Sequence, residues 1–112
     1  MTITISTHPE FERQFKRFVK KYHSLIDDYE DLLDSLKKTP HQGDDLGGGL
    51  RKVRMGIDSK GGGKSGGMRV ITYSVVQKAD DAIDITLLYI YDKSEMGNVS
   101  VSFLRWLLNS MG

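Results

Sequence analysis

The chain has 112 residues, of which 38% are hydrophobic and 28% charged, with twelve glycines, two prolines and no cysteine. A chain of this length holds one modest core, so we expect a single domain over residues 1–112. The lack of cysteine excludes a disulfide scaffold, cysteine-ligated zinc, an iron–sulfur cluster and thiol nucleophiles. No apolar run reaches the roughly 20 residues that cross a bilayer, and the start shows no secretory pattern, so we expect a cytoplasmic protein without membrane contact.

The net charge of +1 conceals a strong segregation of charge along the chain. Residues 50–69 carry six basic side chains against one acidic side chain, and six residues of this block are glycine. Residues 24–49 carry seven acidic side chains against two basic ones. A basic, glycine-rich block attracts an anionic partner such as a phosphate backbone, and a solvated hairpin tip is the alternative interpretation.

The first part of the chain predicts a strand followed by two helices. Ile3 and Ile5 alternate with polar residues, as in a half-buried strand. One amphipathic helix begins at Pro9, and a second begins after Ser24 and stops before Pro40. Because so few residues connect the two helices, we expect an antiparallel helix hairpin packed on one face of a sheet.

The rest of the chain predicts a loop, three strands and a last helix. Residues 41–49 are rich in Gly and Asp and predict the loop, and Asn98 or Ser100 can begin the helix. The predicted strands cover residues 50–58, 68–76 and 83–91. We therefore expect an α+β fold, with an N-terminal strand, the helix hairpin packed on a mostly antiparallel four-stranded sheet, and a C-terminal helix.

The turn Ser59–Gly67 reads SKGGGKSGG and includes the Gly-Lys-Ser step of a phosphate-binding P-loop. A P-loop also needs an earlier glycine at a fixed spacing from Gly63 and a helix after the step. The chain has Asp58 at that spacing and a strand where the helix belongs, so we exclude a P-loop. The length of the turn, with Lys60 and Lys64, predicts a loop that grips a polyanion, and a plain hairpin turn is the alternative.

Other chemistry finds little support in the sequence. The three histidines, His8, His23 and His41, lie far apart in the chain and form no metal-ligand pattern. No nucleophile elbow of a serine hydrolase is present. The acidic residues 27–34 fit the solvated face of the second helix. We therefore expect neither a metal site nor a cofactor.

Basic side chains from separate strands are the remaining candidate site. Lys52 and Arg54 are two residues apart on one predicted strand, so they share a face. Arg69 begins the strand that pairs with it across the glycine-rich turn, and Lys93 follows the next strand. Such residues hold a phosphate and stabilise the charge that builds up when the 2′-hydroxyl of RNA attacks it. Protection of an edge strand by basic residues is the alternative.

The segment Leu46–Tyr73 and the later IYDKSE, residues 90–95, resemble the RelE/ParE superfamily of toxins from bacterial type II toxin–antitoxin modules, closest to its RelE/HigB-like branch. The shared features are a basic strand, a Ser-Lys-Gly-rich turn, Arg-Val-Ile-x-Tyr and Tyr-Asp-Lys-Ser, in that order. The predicted order of elements also agrees with the fold of these toxins.

The resemblance implies a metal-independent endoribonuclease, an mRNA interferase that cuts messenger RNA in the ribosomal A site and halts translation. It also implies a cognate antitoxin, which we expect to cover the basic sheet face with an acidic segment, and no cofactor. The implied catalytic residues are Lys52, Arg54, Arg69 and Lys93. The residues that we expect to bind RNA are Arg51, Lys60, Lys64 and Tyr91. Trp106 is an alternative to Tyr91 for stacking on a base, and packing in the core is the alternative for both.

Two other functions stay open on the sequence alone. A ParE-like toxin with the same fold poisons DNA gyrase by binding it, without nuclease chemistry. A binding module would dock RNA or a partner on its basic surface without cutting it. The basic strand cluster and the lysine-containing turn favour the endoribonuclease, whereas a long helix pair with a neutral sheet would favour the gyrase poison.

Overall fold

The computed structural model describes residues 1–60 and 67–110, apart from the side chain of Lys60. The strands in these residues are β1 (Thr2–Thr7), β2 (Asp44–Gly47), β3 (Leu50–Met55), β4 (Met68–Gln77) and β5 (Ala82–Asp92). The α-helices in these residues are α1 (Pro9–Lys21), α2 (Leu25–Lys38) and α3 (Val101–Asn109). No helix in this described part is long and apolar enough to cross a membrane.

The strands form one mixed sheet in the order β1-β5-β4-β3-β2. β1 runs parallel to β5, and the other neighbouring pairs are antiparallel. The α+β class, the N-terminal strand, the two consecutive helices and the C-terminal helix are confirmed. The strand count differs, because the described residues form five strands where the sequence predicted four.

The additional strand is β2, which lies in the segment that the sequence assigned to a loop. Gly and Asp have low strand propensity, and pairing of β2 with β3 overrides that preference. Gly47, Gly48 and Gly49 have φ angles of +89°, +61° and +89° and reverse the chain between the two strands. β3 ends at Met55, earlier than predicted, although Ile57 beyond it is still buried.

One face of the sheet is covered by α1 and α2. The imidazole Nδ1 of His8 accepts a hydrogen bond from the backbone N–H of Glu10 at 2.9 Å and so caps α1. The apolar stripes of both helices then pack on the sheet and form the larger core. Its buried members are Phe11, Phe18, Leu25, Leu32, Leu36, Val53, Met55, Ile57, Met68, Val70, Ile83, Ile85, Leu87 and Ile90.

The opposite face of the sheet is partly covered by α3. Ser100 caps this helix, since its Oγ accepts from the backbone N–H of Phe103 at 3.1 Å. The helix packs through Leu104 and Leu107 into a second, smaller core that also contains Leu50, at the start of β3. Arg54, on the same face near the other end of β3, is exposed to solvent.

Candidate functional site

Basic side chains from β3 and β4 lie on the sheet face that α3 partly covers. Lys52 and Arg54 share a face because side chains alternate along a strand. The β3–β4 register pairs Arg54 directly with Arg69, and the β4–β5 register pairs Arg69 with Tyr91. Arg54, Arg69 and Tyr91 therefore form one row across three neighbouring strands, each about 4.8 Å from the next. We call these three residues the arginine row.

The direct pairing of two arginines costs free energy. Like charges that face each other on neighbouring strands destabilise a sheet by up to about 1 kcal/mol. Arg54 is exposed, but Arg69 is only 4% exposed, so solvent screens the repulsion incompletely. An anion bound between the two guanidinium groups would relieve the repulsion, and the pair therefore favours phosphate binding.

Arg69 is held in place by the backbone at the start of β4. Its Nη1 donates to the carbonyl oxygens of Gly67 and Met68, both at 3.2 Å. A Cβ atom on Gly67 would overlap the carbonyl oxygen of Met55, so the close approach of β4 to β3 requires glycine. These contacts satisfy a buried charge and fix its side chain before any ligand arrives.

A bulge in β5 decides which way Tyr91 points. The β4–β5 register shifts where β5 carries the additional residue Leu88. Before the shift, Leu87 packs on the face with α1 and α2, and after it Tyr89 and Tyr91 lie on the face with α3. Strict alternation from Leu87 would put Tyr91 under the helices. The bulge therefore places Tyr91 beside Arg69.

Tyr91 carries a neutral hydroxyl group and lies beside the buried cation Arg69. Burial raises the pKa of the Tyr91 hydroxyl, and the charge of Arg69 partly opposes that rise. The phenol therefore stays protonated at neutral pH and can donate a hydrogen bond. Only 3% of Tyr91 is exposed, so its ring packs in the core and offers no open face for a base.

Trp106, the alternative aromatic candidate, is exposed on α3. It has 63% of its surface in solvent, and its ring stacks on Phe103 with centroids 6.1 Å apart. Phe103 in turn meets Tyr89 edge to face. Of the two sequence candidates for stacking, Trp106 is the one with an accessible ring.

Lys93 lies at the same end of the sheet as the two arginines. It follows Asp92, which pairs with Met68 in the β4–β5 register, directly beside the Arg69 position. The Lys93 side chain is exposed. Asp92 itself is fully buried, a feature that the sequence analysis missed. The one sequence feature that could have pointed to Asp92 is its position directly before the lysine of IYDKSE.

Arg51, which the sequence analysis expected to bind RNA, is not part of the arginine row. Arg51 points to the opposite face from Lys52, where its Nη2 lies 3.7 Å from Oδ2 of Asp45. Its Nη1 also donates to a backbone carbonyl at 3.5 Å. Lys64 and the side chain of Lys60 lie outside the described residues. Arg51 therefore has a local structural partner instead of a place in the row.

Acidic side chains on and near α2 line a cleft and form no metal site in the described part of the chain. No group of His, Asp and Glu within residues 1–60 and 67–110 is arranged to hold a metal ion. A cleft of about 270 Å³ between α2 and the end of β3 is lined partly by Asp28, Asp31 and Asp58. Asp28 is buried, against the expectation of a solvated acidic face, and accepts from the Ser24 Oγ at 2.7 Å.

These features define a small α+β protein with a cationic row on one sheet face. Comparison with protein families matches residues 11–109 to the family described as the RelE toxin of the RelE/RelB toxin–antitoxin system. The match covers most of the chain, which therefore belongs to the RelE toxin family. The chain is the toxin of a toxin–antitoxin pair, and the family implies a RelB-type antitoxin as its partner.

Proposed function

We propose that this toxin is a ribosome-dependent endoribonuclease, which binds in the ribosomal A site and cuts messenger RNA there. The observation that carries the proposal is the direct pairing of Arg54 with Arg69 beside the protonated Tyr91. Two guanidinium groups on neighbouring strands can both donate hydrogen bonds to a phosphodiester, and Tyr91 lies beside them. Membership of the RelE family, which in general consists of ribonuclease toxins, supports the same reaction.

The proposed reaction uses the RNA's own 2′-hydroxyl as the nucleophile. The 2′-oxygen forms a bond to phosphorus, and the bond from phosphorus to the 5′-oxygen of the next nucleotide breaks. A base takes the 2′ proton, and an acid gives a proton to the departing oxygen. Arg69 and Arg54 stabilise the negative charge that grows on the phosphoryl oxygens. Lys52 and Lys93 are the candidates for the proton transfers and for further contacts to the backbone.

We also propose how the toxin is restrained. An acidic segment of the antitoxin would cover the arginine row and neutralise the repulsion between Arg54 and Arg69. Antitoxin and messenger RNA would then bind to the same arginine side chains, so binding of one would exclude the other. Ribosomes place the reaction in the cytoplasm.

Mapping of cut sites tests the proposed function. Primer extension on a translated message should reveal cuts only when ribosomes are present. Arg69→Ala should lower the cleavage rate at least about 100-fold, because it removes a preorganised charge from the transition state. Lys37→Ala is the matched control, since Lys37 is exposed on α2 at the other sheet face, and it should leave cleavage unchanged.

Two outcomes would contradict the proposal. DNA damage with normal early translation on induction would indicate a gyrase poison. Arrested translation with intact message would indicate a module that binds without cutting.

A further inference from the structure

A buried carboxylate anchors the turn that follows β5. Asp92 is completely buried, and the Tyr22 hydroxyl at the end of α1 donates to its Oδ2. The backbone N–H and the hydroxyl of Ser94 both donate to Oδ1 of Asp92, at 2.9 and 2.7 Å. Burial of a carboxylate is costly unless such donors surround it. The carboxylate therefore joins the turn to α1.

A second acidic residue ties the same turn to the same helix. Glu95 accepts from the Arg17 guanidinium at 3.1 Å and from the Lys21 ammonium at 2.9 Å. The Lys21 ammonium also lies 4.0 Å from Oδ2 of Asp92. The backbone N–H groups of Glu95 and Met96 donate to the Asp92 carbonyl oxygen at 3.0 Å, which closes the turn.

Lys93 lies in the turn that these contacts hold. Its neighbours on both sides, Asp92 and Ser94, are fixed by hydrogen bonds, whereas its own side chain is exposed. A lysine on a mobile turn would lose both backbone and side-chain entropy on binding a phosphate. Anchoring the turn removes the backbone part of that loss before RNA arrives.

We propose that Tyr22 and Asp92 are positioning residues, which hold the β5–α3 turn so that Lys93 reaches the RNA backbone bound at the arginine row. The inference rests on the proposed function and adds to it a contribution from α1, whose residues lie outside the row. The hydrogen bonds to the buried carboxylate are directional, so they fix one geometry of the turn, which packing of apolar side chains alone would not do.

Binding to ribosomes tests this inference with uncleavable RNA. The probe is a ribosome programmed with a message whose A-site codon carries 2′-O-methyl groups, and affinity is measured at several salt concentrations. Tyr22→Phe removes one hydroxyl and no charge, yet it should weaken binding about tenfold and reduce the salt slope by about 1, because Lys93 no longer reaches its phosphate. Tyr29→Phe is the matched control, since Tyr29 packs with Phe15 on the helix side and should change neither quantity.

A double-mutant cycle separates positioning from general stability. In a Lys93→Ala background, Tyr22→Phe should weaken binding no further, since the residue through which it acts is absent. An equal loss with and without Lys93, or an unchanged salt slope, would overturn the proposal. If Tyr22→Phe does not fold, Ser94→Ala removes another donor to Asp92 at an exposed position and serves in the same cycle.

Amide hydrogen exchange supplies a measurement that needs no RNA. The amides of Ser94 and Glu95 should exchange faster in Tyr22→Phe than in the wild-type chain, and Tyr29→Phe should leave them unchanged. Equal rates in all three proteins would overturn the anchoring role. A wild-type chain that neither binds ribosomes nor cuts message would refute the proposed function, while the exchange rates would still decide whether Tyr22 holds the turn.

Discussion

At the scale of single residues, the direct pairing of Arg54 with Arg69 lowers the stability of the fold and favours anion binding. Arg69 is fixed by two backbone carbonyls and cannot turn away from its neighbour without losing them. Arg54 is exposed and has more freedom. An anion that binds beside both groups, whether RNA or antitoxin, would reduce the repulsion between them.

The pairing of the two arginines predicts that a variant with impaired toxicity will be more stable than the wild-type chain. Arg54→Gln should raise the free energy of unfolding by about 0.5 kcal/mol at low salt, because it removes a like-charge pair. Urea unfolding measures the change, which should shrink at high salt as the repulsion is screened. The same variant should cut message more slowly. A variant that is less stable at every salt concentration would show that the pair is not repulsive.

At the scale of elements, the β2–β3 hairpin supports the strand that carries Lys52 and Arg54. The Gly49 carbonyl accepts from the Ser74 backbone N–H at 3.0 Å, so the tight turn also contacts β4. A Cβ at Gly49 would lie 2.9 Å from the Ser74 carbonyl oxygen, whereas one at Gly47 would meet nothing within 4 Å. Both glycines have the same φ of +89°, which makes them a matched pair.

Alanine substitutions at these two glycines separate strain from crowding. Gly47→Ala should cost about 1 to 2 kcal/mol, the strain of a side chain at positive φ. Gly49→Ala should cost at least about 1 kcal/mol more, because the new methyl group crowds the β4 backbone. Thermal unfolding of both variants measures the difference. Equal costs would mean that the hairpin moves away from β4 without penalty.

At the scale of the whole molecule, ion pairs join segments that are distant in the chain. Arg17 and Lys21 of α1 hold Glu95 of the β5–α3 turn. Hydrogen bonds from Lys21 and Arg17 hold the pKa of the Glu95 carboxyl below its usual value of 4.5. The hydrogen bond from Arg13 likewise lowers the pKa of Glu10. Folding thus favours the ionised form of both glutamates.

The lowered pKa values predict how stability depends on pH. A carboxyl group with a lowered pKa in the folded state stabilises the fold above its unfolded pKa, and that contribution is lost as the pH falls through the folded value. The free energy of unfolding should therefore drop below the usual glutamate pKa of 4.5. Glu95→Gln should show a smaller drop in urea unfolding between about pH 5 and pH 3. An identical pH profile would exclude Glu95 from this effect.

Particular residues show how far sequence reasoning reached. Lys52 and Arg54 share a face because alternation is a local property of any strand. The approach of Arg69 needed only an antiparallel pairing across the turn, and the register supplies it. The sequence predicted that Tyr91 binds RNA. Alternation along the strand could not place Tyr91 beside Arg69, because the bulge that does so depends on pairing with the partner strand. Asp92 was missed because its burial results from contact with Tyr22, far away in the chain.

The sequence by itself determined the fold class, the order of the helices and most strands, the membership of the toxin family and the two basic positions on β3. These properties follow from local periodicity, capping and motif order, which neighbouring residues decide. Only the tertiary structure decided the fifth strand, the bulge that turns Tyr91 toward Arg69, and the anchor of the Lys93 turn on α1. Each of these depends on a partner distant in the chain, and pairing with that partner outweighs the local preference of the segment.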